Sequence, residues 1–241
     1  MGCLYLGNQK VAPVVVMPPN TDGVPSYQVS PQGVLSRRYS LLTGDEFDSV
    51  TSISSYGLYY NFYNCDSLTG PVNFNNVTTI GDRGMSYSFY GCAGISSVSF
   101  NSLTAVGQYG LYYAFSNCTS ITSANFSALT TVGARGLQNA FIGCTSLTSV
   151  NFPSLTDLTE ARELWYAFRD CTSLTILSFP ALTSTSFGSD TNQFDYMLSG
   201  VTGCTVHFPS NLQSVIGSWS QVTSGFGGTN TTVLFDLPPT T

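Results

Sequence analysis

Charge is scarce in this sequence. Only 8% of the 241 residues are charged, against about a quarter in an ordinary soluble domain. Seven Lys and Arg with a net charge of −6 exclude a protein that binds nucleic acid by neutralising phosphates. A disordered tail is excluded as well, because 42% of the residues are hydrophobic and 13% are aromatic. The surface must consist mainly of hydroxyls, amides and glycine, since about a quarter of the residues are Ser or Thr.

Long apolar runs and catalytic groups are also missing. No apolar run approaches the roughly 20 residues of a membrane span, so none is predicted. The apolar stretch near the N-terminus contains Pro13 and ends at Pro18, which makes a poor signal peptide, and we expect a chain made in the cytoplasm. The single histidine, His207, has no acid or nucleophile beside it in the sequence and is predicted to be structural. We therefore predict no enzyme, no cofactor and no metal site.

A repeat of about 26 residues organises the middle of the chain. Its clearest copy, GLYYAFSNCTSITSANFSALTTVG, runs from Gly110 to Gly133. One cysteine column and two phenylalanine columns keep the period. The columns are Cys65, Cys92, Cys118, Cys144 and Cys171; Phe47, Phe74, Phe100, Phe126, Phe152, Phe179 and Phe208; and Phe62, Phe89, Phe115, Phe141 and Phe168.

Each copy divides into two halves by the spacing of its apolar residues. Leu111, Ala114, Phe115 and Cys118 stand at i, i+3, i+4 and i+7, which predicts one face of a short helix. The following residues, up to Phe126, approach the period of two that is typical of a strand. A single copy cannot bury its own apolar face, whereas stacked copies can. The predicted fold class is therefore an α/β solenoid, a leucine-rich-repeat-like right-handed coil of short parallel strands and short helices.

Two segments of the repeat, NAFIGCTSLTSVNFPSLTDL and YAFRDCTSLTILSFPALTS, resemble the BspA-type leucine-rich repeats of bacterial surface proteins. The resemblance covers about residues 47–215 and implies an adhesin-like role. The N-terminal motif LYLGNQKVAPVVV is similar to the start of structural proteins encoded by phages and prophages of gut bacteria.

Together the two resemblances imply a non-enzymatic virion component, such as a tail or fibre protein. Its solenoid would contact a protein or surface glycan of a host cell, or another virion protein. The alternative is a bacterial adhesin located at the cell surface. Formation of a homo-oligomer stays open.

Three segments are predicted from where the repeat begins and ends. Residues 1–40 form an N-terminal cap or attachment segment, residues 41–215 the solenoid, and residues 216–241 a C-terminal cap. In the last copy the repeat decays, and Met197, Gly200 and Gly203 are predicted to replace the helix Phe, the Cys and the Leu of the unit.

The cysteine column is predicted to be structural. Five thiols in a line do not converge on a tetrahedron, as a metal site requires. Their parallel side chains also suit the near-90° torsion of a disulfide poorly. We expect small buried side chains with weak S–H donors, and unpaired thiols at Cys3 and Cys204.

Aromatic residues occupy two adjacent columns on the outer positions of the predicted helices. They form a candidate binding strip, because Tyr and Trp offer large contact areas at low entropic cost. The alternative is that the rings shield neighbouring helices from water. The strip comprises Tyr59, Tyr60, Tyr87, Tyr112, Tyr113, Trp165 and Tyr166.

Two further columns have weaker functional content. Arginine and tyrosine share one column just before each predicted helix, and there we expect stabilising cation–π pairs rather than a site. The strand face presents small polar residues, which favour no strong binding site. The first column is Tyr56, Arg83, Tyr109, Arg135 and Arg162, and the second is Ser99, Asn125, Asn151 and Ser178.

Overall fold

The structure is a computed structural model. It describes residues 27–29, 35–37, 47–48, 50–65, 68–158, 160–183, 194–216 and 226–238. The phage-like motif at residues 4–16 and Cys3 lie outside the described residues. Within the predicted N-terminal cap, β1 (Tyr27–Val29) pairs antiparallel with β2 (Leu35–Arg37).

The repeats form a solenoid of about six turns with about 26 residues per turn, which confirms the predicted leucine-rich-repeat-like solenoid of short parallel strands. We number the turns coil 1 (52–78), coil 2 (79–104), coil 3 (105–130), coil 4 (131–156), coil 5 (157–183) and coil 6 (from 194). Short strands from successive coils pair in parallel and build two sheets, since equivalent residues of neighbouring coils lie in register.

The larger sheet has seven strands, and its outer surface is called the sheet face here. Its strands are β4 (Thr69–Asn73), β6 (Gly94–Ser99), β8 (Ser123–Asn125), β10 (Ser149–Asn151), β11 (Ile176–Ser178), β12 (Thr205–Pro209) and β13 (Thr232–Leu237). The smaller sheet has four strands of two residues each. These are β3 (Ser52–Ile53), β5 (Thr79–Ile80), β7 (Ala105–Val106) and β9 (Thr131–Val132).

The two phenylalanine columns fill the core. In the column beside the larger sheet, successive ring centroids lie 4.3 to 6.0 Å apart, and Phe235 of β13 extends the stack beyond Phe208. In the second column the spacing is 4.7 to 5.8 Å. Rings of the two columns meet edge to face, as Phe100 and Phe115 do at 6.2 Å. Stacked and T-shaped contacts of this kind stabilise the core beyond the burial of area alone.

The segments predicted as helices are series of turns, and the helix prediction was wrong for them. Leu111, Ala114, Phe115 and Cys118 are fully buried, as the spacing indicated. Neighbouring coils, however, are only about 5 Å apart on this side too, since Phe115 and Phe141 stack at 5.4 Å. An α-helix with its side chains is about 10 Å wide, so one helix per coil does not fit this spacing. We call the outer surface of these segments the turn face.

Helices occur elsewhere in the described chain. A 3-10 turn, Ser210–Leu212, leads into the one-turn helix α1 (Gln213–Ile216). No helix in the part of the chain that the structure describes is long and apolar enough to cross a membrane.

The last copy keeps the repeat better than the sequence suggested. Phe168 donates its N–H to the carbonyl of Met197, which aligns Met197 with Ala167 rather than with the phenylalanine. The assignment of Met197, Gly200 and Gly203 was therefore one residue out of register. The buried residues Leu198, Val201 and Cys204 occupy the Phe, Cys and Leu positions instead. The predicted strand in TTVLFDL is confirmed as β13, which adds a strand to the larger sheet.

Candidate binding surface on the turn face

The backbone of the turn face joins neighbouring coils by hydrogen bonds. Met85 and Tyr87 donate their N–H groups to the carbonyls of Gly110 and Tyr112 in the next coil, at 2.8 and 2.9 Å. The intervening Ser86 donates within its own coil, to Arg83 at 3.2 Å. This alternation continues along the stack, so the turn segments are bonded to each other much as strands are.

Every fourth residue of a turn segment has a left-handed backbone, and these residues align in three columns across the coils. Each left-handed residue changes the direction of the backbone between two successive short turns. Residues other than glycine adopt this conformation at a cost in conformational energy. The columns are Tyr56, Arg83, Tyr109, Arg135 and Arg162; Tyr60, Tyr87, Tyr113, Asn139, Tyr166 and Tyr196; and Asn64, Gly91, Asn117, Gly143, Asp170 and Gly200.

The aromatic strip begins as a dense cluster on coils 1–3. Tyr60, Tyr87 and Tyr113 stack in sequence, with centroids 4.6 and 4.9 Å apart. Tyr59 and Tyr112 each pack edge to face on the ring that follows them in the chain, both at 4.6 Å. Tyr63 and Tyr90 were not predicted from the sequence, and their rings stack on each other at 4.9 Å. The tyrosine cluster is Tyr59, Tyr60, Tyr63, Tyr87, Tyr90, Tyr112 and Tyr113, and all seven are half-buried.

Coil 4 interrupts the strip. Gln138 and Asn139 take the two aromatic positions there, and both are buried, at 5% and 3% exposure. The predicted strip is thus two separate patches. In the second patch, on coils 5 and 6, Trp165 contacts Tyr166, which stacks at 5.1 Å on Tyr196.

Burial affects the hydroxyls of the three stacked tyrosines, Tyr60, Tyr87 and Tyr113. Burial, with a smaller contribution from Tyr59, raises the pKa of Tyr60 to about 12. Burial and the neighbouring Tyr112 likewise raise the pKa of Tyr87 and of Tyr113. These three residues therefore offer flat apolar rings with uncharged hydroxyls, which suits contact with another uncharged surface.

The predicted cation–π pairs are confirmed in part of their column. The ring of Tyr109 lies between two guanidinium groups, those of Arg83 at 4.4 Å and Arg135 at 5.3 Å. Arg135 also donates a hydrogen bond to the Tyr109 hydroxyl. In coil 5 the guanidinium of Arg162 lies 4.6 Å over Trp165 instead.

The family model of the BspA type leucine rich repeat region matches the chain in six copies, over residues 51–191 and 112–217. These ranges cover more than half of the sequence and coincide with the coils. The chain belongs to this family.

The other comparisons add little to the family match. A leucine-rich repeat protein of T. pallidum, known from a crystal structure, is 15% identical with a TM-score of 0.41, over 92% of this chain and 91% of that one. No curated protein matches the sequence.

In the BspA-type coils the cysteines are buried and free of disulfides, as predicted, at all six described positions. The column thiols from coil 2 to coil 5 each donate to the carbonyl of the turn-side phenylalanine in the preceding coil. Cys92, for example, donates to Phe62 at 3.0 Å and Cys118 to Phe89 at 3.1 Å. Burial raises the pKa of Cys204 to about 11 and that of Cys171 to about 12, so these thiols are poor nucleophiles.

The sheet face of the BspA-type solenoid carries polar side chains that bond to one another, together with two exposed apolar side chains, Ile176 and Leu234. Asn125 donates to Asn101 at 2.7 Å, and Ser178 donates to Asn151 at 2.6 Å. His207 lies on this face within 2.9 Å of the Asp236 carboxylate, which the pairing of β12 and β13 brings beside it. The sequence separation of 29 residues hid that partner.

Proposed function

We propose that this BspA-type protein is a non-enzymatic binding protein whose turn face contacts a protein partner. The family suggests a protein-binding or adhesin-like role. The observation that supports the site is the tyrosine cluster, where seven half-buried rings pack edge to face and in stacks on three adjacent coils. Aromatic rings held in place by their neighbours are the residues that most often dominate binding energy at protein interfaces.

The chain itself supplies a conservative way to remove the site. Coil 4 carries Gln138 and Asn139 where coil 3 carries Tyr112 and Tyr113, with the same backbone. The double variant Tyr112→Gln/Tyr113→Asn therefore copies a coil that already packs in this fold. Trp165→Gln/Tyr166→Asn does the same for the second patch. A matched control, Ser123→Ala/Ser149→Ala, changes two exposed residues of the sheet face.

The test measures binding of the full chain to host cells, to isolated host surface proteins and to a glycan array. We expect the coil 3 variant to lose at least ten-fold in affinity for a surface protein with an unchanged circular dichroism spectrum, and the control to bind normally. Unaltered binding by a folded coil 3 variant would show that the rings are structural. Binding to glycans alone would contradict a protein partner and would identify a sugar as the ligand.

For location, we propose a place on a phage virion, in a tail or fibre. The resemblance of residues 4–16 to phage and prophage structural proteins supports this placement, and the family match supports the alternative, an adhesin at the bacterial cell surface. Immunogold electron microscopy distinguishes the two. Label on particles is expected, and label on the walls of uninfected cells would contradict the virion location.

A further inference from the structure

Coil 5 departs from the repeat at one position of the turn face. Glu163 stands in a column that is otherwise glycine in the first four coils, at Gly57, Gly84, Gly110 and Gly136. That column has no room for a side chain in a regular coil. A Cβ atom at Gly136 would lie 2.6 Å from Cγ1 of Val132 and 2.9 Å from the carbonyl oxygen of Gly133.

An extra residue makes the room. From the buried Val132 to the left-handed Arg135 is three steps along the chain, whereas from Leu158 to Arg162 it is four. Within the described chain the smaller sheet ends at β9 in coil 4, and coil 5 adds no strand to it. A cavity of about 320 Å³ lies at this irregular position and is lined by residues of coils 3, 4 and 5; its volume is near the lower end of the roughly 300–1,000 Å³ usual for ligand pockets.

Both acidic and apolar side chains line the cavity. Asp157, Glu160 and Glu163 line it together with Val106 and Val132. Glu160 is exposed and stands at the opening, while Glu163 is fully buried. One oxygen of Glu163, Oε1, accepts the backbone N–H of Glu160 at 3.0 Å. Its other oxygen, Oε2, and Oδ1 of Asp157 are buried without a hydrogen-bond partner.

The two unpartnered oxygens, on two different carboxyl groups, favour one class of cationic ligand over another. A guanidinium pairs best with both oxygens of one carboxylate, and Oε1 of Glu163 already accepts the Glu160 N–H. An ammonium group has three donors and can bond single oxygens of separate residues. Within the described residues the acids form no group that could hold a metal ion, and none of these three carboxyl groups has an ion-pair partner.

We propose that this cavity binds a primary alkylammonium group, with the nitrogen at Glu163 and Asp157 and the alkyl chain against Val106 and Val132. Such a group comes from a lysine side chain of a protein or from a free small amine. None of the residues that line the cavity belongs to the tyrosine cluster. The proposed ammonium site can therefore be tested independently of the proposed binding surface.

The charges around Glu163 set the conditions for a test. Burial raises the pKa of Glu163 to about 9, and the nearby carboxylates of Asp157 and Glu160 act in the same direction. Arg162, next in the chain, lies over Trp165 and forms no ion pair in the described structure. An alkylammonium must displace the Glu163 proton, so binding is measured at pH 9, where an amine with the lysine pKa of about 10.4 is still charged.

The test titrates the full chain with n-butylammonium and with N-acetyl-lysine methylamide, followed by NMR chemical shifts. Shifts at residues 131–133 and 160–163 that saturate are expected. Glu163→Gln and Asp157→Asn should each weaken binding at least ten-fold, whereas the control Asp48→Asn removes one exposed charge elsewhere and should leave it within two-fold. Tetramethylammonium and n-butanol, which lack either the donors or the charge, should not compete.

Each arm has a defined outcome. Equal binding of both probes supports the alkylammonium site itself. Tighter binding of the lysine derivative identifies a protein lysine as the source, and binding of n-butylammonium alone identifies a free amine. Absence of both, or tighter binding of Ca²⁺ at the same residues, overturns the proposal. So does n-butylammonium binding that a folded Glu163→Gln variant retains.

Discussion

The sheet face and the turn face of the solenoid use the same coil spacing in different ways. On the sheet face, extended strands of successive coils lie side by side, and small polar side chains form hydrogen bonds with those of neighbouring coils. Ser99, for example, donates to Asn75 at 2.6 Å. On the turn face, left-handed residues recur and aromatic rings stack instead. The difference teaches that a ladder of equivalent residues about 5 Å apart can be held together either by side-chain hydrogen bonds or by stacked aromatic rings.

The two faces also differ in tolerance to sequence change. Along the sheet face, Ser, Asn and His exchange in one register without altering the pairing. On the turn face a single exchange, glycine to Glu163, accompanies an inserted residue and a cavity. The tighter backbone of the turn face makes its glycine positions the more restrictive ones.

The largest expected effect tests whether one core supports both faces. Phe126→Ala and Phe115→Ala each remove a fully buried ring from the middle of one column, beside the sheet face and the turn face respectively. Each should lower the free energy of unfolding by about 3–5 kcal/mol, the usual cost of such a truncation. Urea denaturation measures both, with Thr119→Ala as an exposed control. A loss confined to one of the two variants would show that the faces unfold separately.

A smaller effect concerns Glu163, the irregular position of the turn face. Its pKa is about 9 in the folded chain and near 4.5 for a fully solvated glutamate, so the folded state holds the proton over a range in which the unfolded state has lost it. Stability should therefore fall as the pH rises from about 4.5 to 9, by up to about 1.4 kcal/mol per pH unit. Glu163→Gln removes this dependence and should gain on the order of 3 kcal/mol at pH 7.

Urea denaturation of both proteins at pH 5, 7 and 9 checks the Glu163 prediction. Asp48→Asn serves as the control, because its side chain is exposed. Parallel pH curves for the wild type and Glu163→Gln would contradict the burial of an uncharged Glu163.

The smallest effect should differ in size between the faces. Asn117 on the turn face has a φ of 61°, and Gly91 and Gly143 occupy its column in the adjacent coils. Asn117→Gly should be close to neutral, because the relief of the left-handed backbone is opposed by loss of the hydrogen bond that Asn117 donates to the Tyr90 hydroxyl at 3.2 Å. Asn125 is also exposed but lies in β8, where Asn125→Gly should cost about 0.5–1 kcal/mol. Thermal unfolding of both variants measures the difference. A cost at both positions would show that the Asn117 backbone gains nothing from glycine.

Burial was predictable from the sequence and backbone bonding was not. The spacing of Leu111, Ala114, Phe115 and Cys118 is the same for a helix and for a chain of four-residue turns, so it predicted the buried face without distinguishing the two. One sequence signal favoured turns. The column before the cysteines reads Asn, Gly, Asn, Gly, Asp and Gly, the residue types that adopt a left-handed backbone most readily.

Within the candidate site, the rings could be predicted and their division could not. Period alone placed Tyr60, Tyr87 and Tyr113 in one column, and the structure stacks them. Tyr63 and Tyr90 escaped notice because their column holds different residue types in the later coils. The cavity at Glu163 depends on which coil receives an inserted residue, and such a local change in path has no periodic signal.

The alternating hydrogen bonds of the turn face have an electrostatic consequence. The bonds from one coil to the next in this face run from an N–H to a carbonyl further along the chain, as from Leu111 to Gly136 and from Leu137 to Glu163. Peptide dipoles that align in this way add, as they do in an α-helix. This face of the solenoid therefore has a macrodipole without a helix, whose positive pole points toward the C-terminal coils and whose negative pole lies at coil 1.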